Sequence, residues 1–385
     1  MKTINETLSK EEMENISKVF SSMAENTIYS EGGSELFDNK FEIYETYHIV
    51  NKIGFVERAA RKIASSTEDA YEVIKNKNGR VRVNRTKIAH ALEMLKSCQD
   101  REGVDQALGG KEMSPYAKCM FNAAEKVRND LGGIDWVFEK IAVPIGDGRI
   151  AAEYANDLLE KIRQEFKKPA FRRMVRKWAA RATDNYKGAV KLIHNLFREY
   201  SKLLIIRLDL GYHVEHREHC IPYMTRKQFK RLLNNLRGNK IFENLVGIIW
   251  RLETGEKKGF HYHVMLIFDG SLSCHDINIS DAIGKYWRDC CTEGKGTYWP
   301  CNRYKYKARG IGLIEHSDQD KCRNLLDVLT YLTKTDEFLQ IRMPKCVKKY
   351  RTFGRSEIRP LAETKKGRPR VKASAFEVDP ALAGN

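Results

Sequence analysis

Several features are missing from this 385-residue chain, and each absence narrows its function. No apolar run approaches the ~20 residues of a membrane span, and the first residues lack the apolar core of a signal peptide. The nine cysteines include no pair of CxxC motifs. An odd number of scattered cysteines predicts free thiols in a reducing compartment rather than a disulfide framework. We therefore expect a cytoplasmic protein with no membrane partner.

The charge balance is strongly positive. Lysine and arginine number 68 against 51 acidic residues, which gives a formal net charge of +17. Such an excess favours nucleic acid as the partner, with a solvated basic surface as the alternative. The chain is 42% hydrophobic and 31% charged, so most of it is expected to fold. It has no P-loop motif.

Periodicity divides the chain into three parts. Residues 1–195 are predicted to be a mostly helical N-terminal region, for DNA binding or oligomerisation, with its role open. Residues 198–358 mix strand and helix patterns, which predicts an α+β domain with a central antiparallel sheet flanked by helices. Residues 359–385 are predicted to be a basic flexible tail. The Gly-Arg-Pro around Arg368 resembles an AT-hook that enters the DNA minor groove, and a disordered solubilising tail is the alternative.

A basic stretch with interleaved aromatic residues closes the helical region, from Phe171 to Trp178. Its cations are predicted to follow phosphates while its aromatics stack on bases. The alternative is an ordinary helix whose aromatic residues belong to the core. The predicted DNA contacts here are Arg172, Arg173, Arg176 and Lys177.

The C-terminal pattern predicts individual elements. Strands are expected at residues 203–210, 244–253 and 260–268, a turn at residues 254–259, and one or two more strands within residues 297–315. Helices are expected at residues 226–237, 276–291 and 324–338, the first of them capped by Thr225.

A polar cluster is predicted on one face of the second and third strands. His261 and His263 share a face because side chains alternate along a strand. A hairpin that places Glu253 opposite His261 also places Arg251 opposite His263, while the even positions of both strands are apolar and predicted to pack on helices. Two imidazoles and a carboxylate leave open positions on a divalent metal, as a catalytic site requires. A slip of one residue would remove Glu253.

The last predicted helix offers a nucleophile. Its apolar stripe is Leu325, Val328, Leu329 and Leu332, and Tyr331 lies about 100° from the centre of that stripe. Lys334 shares the flank of Tyr331 and can stabilise a phenolate or a phosphate oxygen. A metal ion would polarise a phosphate for attack. Arg207 and Arg251 are predicted to contact the DNA.

These residues resemble, in order, the three motifs of the HUH endonuclease superfamily. The motifs are the strand at Leu203–Leu210, the sequence His261-Tyr262-His263 and the helical sequence Tyr331-Leu332-Thr333-Lys334. With the following Arg351-Thr352-Phe353-Gly354-Arg355-Ser356, the pattern more narrowly resembles the YagK/YfjJ C-terminal domain family of prophages and inovirus-type phages.

The resemblance implies a nicking enzyme that forms a 5′-phosphotyrosine intermediate with Mg²⁺ or Mn²⁺. It implies that His261 and His263 are metal ligands, that Tyr331 is the nucleophile and that Lys334 assists; Glu253 fits the third ligand position by its spacing. The expected function is rolling-circle replication initiation for a phage or mobile element. The expected substrate is a single-stranded origin or hairpin, with a host helicase and polymerase as partners.

Two other functions are open at this point. Three histidines at steps of three residues, with Cys220, offer a possible zinc site, which would indicate a DNA-binding regulator without nuclease activity. A solvated or phosphate-contacting loop is the alternative for this segment. A third possibility is a degenerate initiator that represses by occupying an origin. The three histidines are His213, His216 and His219.

Overall fold

The structure, a computed structural model, describes residues 52–341 with short gaps, together with residues 351–358 and 360. The gaps are residues 79, 109–110, 147, 218, 220, 256–258, 307 and 335–338. The tail with Arg368 lies outside the described residues. Across the described part of the chain, the helices are all too short or too polar to span a bilayer.

The chain divides into two compact units between Arg181 and Ala182, within one long helix. The boundary predicted near residue 195 lies further along that helix. The described part of the first unit is mostly helical, with a hairpin of β1 and β2. Its elements are α1 (residues 52–65), β1 Tyr71–Lys75, β2 Val81–Arg85, α2 Ala89–Glu93, α3 Arg101–Ala107, β3 Lys111–Met113, α4 Pro115–Leu131, α5 Asp135–Glu139, α6 Ala151–Lys167 and the start of α7 Pro169–Glu199.

The second unit is built on a six-stranded antiparallel sheet in the order β10-β5-β6-β4-β7, with β8 also paired to β4. This confirms the predicted α+β class with a central antiparallel sheet. Its elements are β4 Lys202–Tyr212, α8 Val214–Arg217, α9 Pro222–Asn234, β5 Leu245–Gly255, β6 Gly259–Asp269, α10 Asp276–Tyr286, β7 Gly296–Pro300, β8 Gly312–Glu315, α11 Gln319–Lys334 and β10 Phe353–Arg355. A further strand, β9 Leu339–Ile341, pairs with β3, and its residues up to Gln340 belong to the first unit.

Both faces of the sheet are covered by helices. The even-numbered residues of β4, β5 and β6 pack on α9 and α10, as predicted for that face. The odd-numbered face is also core along most of its length, because Ile205, Ile249, Met265 and Ile267 pack on α7 and α11. The odd-numbered face is polar only near the end where β5 joins β6.

Two helix starts differ from the predictions. Helix α9 begins at Pro222, because a proline fits the first turn, where its missing N–H costs nothing. Thr225 is thus not a cap; it is buried, and its hydroxyl donates to the carbonyl of Ile221 at 3.2 Å. Helix α11 begins at Gln319, before the predicted Asn324. The predicted helix at residues 276–291 consists of α10 followed by a π-helical turn, Trp287–Cys291.

The side chain of Asn302 closes a gap at the edge of β4. Strand β7 pairs with β4 from Leu208 onward, and β8 pairs with it up to Ile205. Between them, the backbone N–H of Arg207 donates to Asn302 Oδ1 at 2.8 Å, and Asn302 Nδ2 donates to the Ile205 carbonyl at 2.9 Å. One amide side chain therefore satisfies two buried backbone groups of the central strand.

Asn302→Ala is expected to lower the free energy of unfolding by about 2–4 kcal/mol, because it leaves a buried N–H and a buried carbonyl without partners. Urea denaturation measures the change. The control is Asn234→Ala, at an exposed position in α9, which is expected to stay within about 0.5 kcal/mol of the parent protein. Equal stability of the two variants would contradict the bridging role.

Candidate metal centre

The hairpin of β5 and β6 has the predicted register. Glu253 lies opposite His261, and Arg251 lies opposite His263. One potential ligand atom from each of Glu253, His261 and His263 lies within 4.8 Å of the others. The predicted placement of the carboxylate beside both imidazoles is therefore confirmed.

Strands β4 and β7 extend this polar face into two rows. Asp209 lies opposite His263 on one side and Trp299 on the other. A Cβ atom on Gly211 would lie 3.8 Å from the Cβ of His261, which places Gly211 beside that histidine. Across β5, β6, β4 and β7, the rows read Arg251, His263, Asp209, Trp299 and then Glu253, His261, Gly211, Thr297.

Asp209 orients the ring of His263. Its Oδ1 lies 2.6 Å from His263 Nδ1, which assigns the ring proton to Nδ1 and leaves Nε2 for another partner. His263 Nε2 is buried, makes no hydrogen bond within the described structure, and lies 3.3 Å from Glu253 Oε2. A carboxylate that holds one imidazole nitrogen while the other faces a metal is a common arrangement in metalloproteins.

His261 completes the triad. Its Nδ1 lies 3.1 Å from the carbonyl of Gly259, and its Nε2 lies 3.7 Å from the same Glu253 oxygen. The two Nε2 atoms thus converge on one carboxylate. This donor set fits a divalent ion such as Mn²⁺, which accepts imidazole and carboxylate ligands.

The charges of the site favour a cation at this point. Burial acts to lower the pKa of His263, but Asp209 and Glu253 outweigh it and raise that pKa. Burial acts to raise the pKa of Glu253, but Arg251 and His263 hold it well below its usual range. Glu253 is therefore ionised at neutral pH and available as a ligand.

Asp209→Asn is expected to weaken Mn²⁺ binding by about 10–100-fold, because an amide can accept the His263 hydrogen bond but lacks the charge that makes the imidazole a better ligand. Titration calorimetry with MnCl₂ measures the affinity. Asp289→Asn is the matched control, because Asp289 is exposed and pairs with its neighbour Arg288. Unchanged affinity in Asp209→Asn would exclude the orienting role.

The two arginines on this face are buried. Arg251 is 5% exposed; its Nε lies 3.0 Å from Glu253 Oε1, and its Nη1 donates to the Leu332 carbonyl at 3.3 Å. Arg207 is 3% exposed, and its Nη2 lies 3.5 Å from Asp209 Oδ1. Both guanidiniums are directed at site carboxylates and not at the surface. This corrects the prediction that they contact DNA directly.

Tyr331 lies against the metal centre. Its ring centroid is 5.8 Å from that of His263, and the Arg207 guanidinium lies over the ring at 4.7 Å. Its side chain is only 6% exposed and belongs to the core under α11, so its predicted position away from the buried stripe was wrong. Burial, reinforced by Glu253, raises the pKa of Tyr331, with Arg207 opposing. The side chain of Lys334 lies outside the described structure.

The basic stretch of α7 lies in the first unit and has mixed exposure. Phe171 is buried, with its ring 5.2 Å from that of Tyr116, so this aromatic belongs to the core and not to a stacking surface. Trp178 is half-buried. The predicted DNA contacts are on the surface, where phosphates can reach them: Arg172, Arg173, Arg176 and Lys177.

The three histidines after β4 form no comparable site. Among the described residues, three potential metal ligands come together in the triad on β5 and β6, and these histidines do not belong to it. His219 is exposed, and Cys220 lies outside the described residues. The geometry therefore offers no support to a zinc site built from His213, His216 and His219.

Sequence reasoning missed Asp209, Gly211 and Trp299 as members of this face. The alternation of Arg207 and Asp209 opposite the apolar side of β4 was a visible signal. That alternation does not reveal that β4 pairs with β6 and β7, because these pairings join residues more than fifty positions apart.

The comparisons with known proteins give one match. Residues 167–356 match the family model described as the YagK/YfjJ C-terminal domain. The chain matches no curated protein and no solved structure. The match spans the whole sheet, the triad, α11 and all of α7, and it supports the resemblance to this family indicated by the motifs.

Proposed function

We propose, from the YagK/YfjJ C-terminal domain at residues 167–356, that the protein is a metal-dependent enzyme that nicks and rejoins single-stranded DNA through Tyr331. In this proposal it initiates rolling-circle replication of a phage or mobile element and belongs to the HUH endonuclease superfamily. The observation that carries the proposal is the contact of a tyrosine ring with His263, whose buried Nε2 faces Glu253.

Each residue has a role in the proposed reaction. Glu253, His261 and His263 would hold Mg²⁺ or Mn²⁺, and the bound ion would draw charge from the phosphate oxygens. Asp209 fixes the His263 ring, and Arg251 holds Glu253 through its ion pair.

The proposed step exchanges one ester for another. Tyr331 Oη forms a bond to phosphorus, and the bond from phosphorus to the 3′-oxygen breaks. The phenol loses a proton and the 3′-oxygen gains one, so no other reactant is consumed. Lys334, one helical turn after Tyr331, would stabilise the charge on the phosphate. The free 3′-OH would serve a host polymerase, and the phosphotyrosine would conserve the bond energy for rejoining.

Access to Tyr331 is part of the proposal. Tyr331 is 6% exposed, so the proposed attack includes a movement that brings its phenol to the phosphate when DNA binds. The exposed cations at the start of α7 would contribute phosphate contacts elsewhere on the strand.

The burial of Tyr331 also favours a second candidate, a DNA-binding regulator of a mobile element that does not nick. In that case the tyrosine is a core residue of α11, and the basic residues of the first unit carry the function. The two candidates differ in whether a covalent bond to DNA forms.

The test is incubation of the full chain with labelled single-stranded DNA from its own element and Mn²⁺, followed by a denaturing gel. The proposal expects a protein–DNA adduct and a shortened strand, both absent when EDTA is added. Binding without an adduct under Mn²⁺ or Mg²⁺ would refute the enzyme and support the regulator.

A further inference from the structure

An aromatic pair lies next to the candidate metal centre. The rings of Trp299 and Tyr304 are stacked, with centroids 4.5 Å apart and planes within 4° of parallel. Trp299 lies on β7, directly opposite Asp209, so its side chain is on the same face as the triad. Strand β7 ends the sheet on this side, and both rings are half-buried, which leaves part of the pair accessible to solvent.

Gly211 lies on the same face as this pair and the triad, in the row next to that of Trp299. Gly211 occupies the position in β4 that lies between His261 on one side and Thr297 on the other. A Cβ atom there would be 3.8 Å from His261 Cβ and 3.6 Å from Thr297 Cγ2, both ordinary contacts. Neither the backbone nor the neighbours therefore demand glycine. A glycine inside a strand often marks a place where a ligand comes close to the backbone.

We infer that the Trp299–Tyr304 pair is a stacking platform for an unpaired DNA base, and that the strand passes from this platform over Gly211, which carries no side chain, to the metal centre. This inference rests on the proposed function and adds to it where the single strand lies. Any base can stack on an aromatic ring, because every base has a flat face. Only Asp209 on β4 lies between Trp299 on β7 and His263 on β6. Lys305, which follows Tyr304, is exposed and available to a phosphate.

The platform requires a single strand. In a duplex the faces of a base are covered by its stacked neighbours, so a ring pair at a sheet edge reaches a base only when it is unpaired. The same geometry provides no hydrogen-bond pattern that would distinguish one base from another.

The experiment measures DNA binding in EDTA, where no cleavage interferes. The full chain is titrated with an oligo-dT strand containing one 2-aminopurine, whose fluorescence is quenched by stacking. Tyr304→Ala and Trp299→Leu are each expected to weaken binding by at least about fivefold and to reduce the quenching. Trp299→Phe, which keeps a ring, is expected to retain most of the affinity and most of the quenching. Tyr223→Ala is the control, since this aromatic is 67% exposed and lies on α9, on the other side of the sheet.

Gly211→Val provides a separate arm, because valine favours strands and adds a branched side chain where the strand is proposed to pass. This variant is expected to bind the oligo-dT strand more weakly, while the midpoint of its thermal unfolding stays the same. Unchanged affinity and quenching in Tyr304→Ala and Trp299→Leu would overturn the platform, as would an equal loss of duplex binding. If the wild type forms no adduct with Mn²⁺ but Tyr304→Ala still loses single-strand binding, the platform stands and the nicking function fails.

Discussion

Tyr331→Phe is expected to abolish the covalent DNA adduct, with a loss of about 10³-fold or more in nicking rate, because it removes the only atom of this side chain that can attack phosphorus. The ring that packs near His263 and under Arg207 is retained, so the fold and the metal centre should persist. Single-strand binding and Mn²⁺ affinity are therefore expected to match those of the parent protein. A denaturing gel and calorimetry measure these effects.

A buried tyrosine on the other face of the sheet provides the control. The hydroxyl of Tyr212 donates to Gln228 Oε1 at 2.6 Å, so Tyr212→Phe loses a buried hydrogen bond of about 1 kcal/mol. It should still form the adduct. If Tyr331→Phe forms the adduct as fast as Tyr212→Phe does, Tyr331 is not the nucleophile.

His263→Ala is expected to reduce Mn²⁺ affinity by more than about 100-fold, because it removes a ligand. Loss of a residue that only orients a ligand costs about 10–100-fold. The variant loses the nitrogen that faces Glu253 and leaves Asp209 without its imidazole partner. Nicking in Mn²⁺ should fall with metal binding, and a higher Mn²⁺ concentration should recover only part of it. Calorimetry and the adduct assay give the two readouts.

The matched control is His316→Ala, at a buried histidine outside the triad, whose Nδ1 lies 3.2 Å from the Ser201 carbonyl. Its metal affinity should not change. If both variants bind Mn²⁺ alike, the triad is not a metal site, and the second candidate, a regulator that binds DNA without nicking, becomes the better account.

The hairpin was predictable because its information is local. Alternation with a period of two, and a short turn between β5 and β6, place Glu253 beside His261 and leave few other registers. The position of β4 was not predictable in the same way, since its pairing with β6 depends on contacts distant in the chain. The sequence therefore predicted which face of β4 carries Asp209, but not that Asp209 lies beside His263.

Burial was the second limit. The charges of Arg207 and Arg251 predicted surface positions, because arginine is seldom fully buried. In the structure, the carboxylates of Asp209 and Glu253 compensate these charges inside the fold. The position of Tyr331 was misjudged for a related reason. The aliphatic stripe of α11 indicated the centre of its buried face, but not how wide an arc of the helix the sheet covers.

Helix α7 belongs to both units, which limits how the sheet unit can be separated from the rest of the chain. Its later residues Ala189, Ile193 and Phe197 are fully buried against the odd-numbered face of the sheet, while its earlier residues belong to the first unit. One continuous segment of chain is thus part of two folding units. The sheet unit therefore cannot be exchanged as a cassette cut at residue 198, because such a cut removes the helix that covers one side of its core. Any recombination that preserves this unit must carry α7 with it, and the matched region indeed begins at residue 167, before that helix.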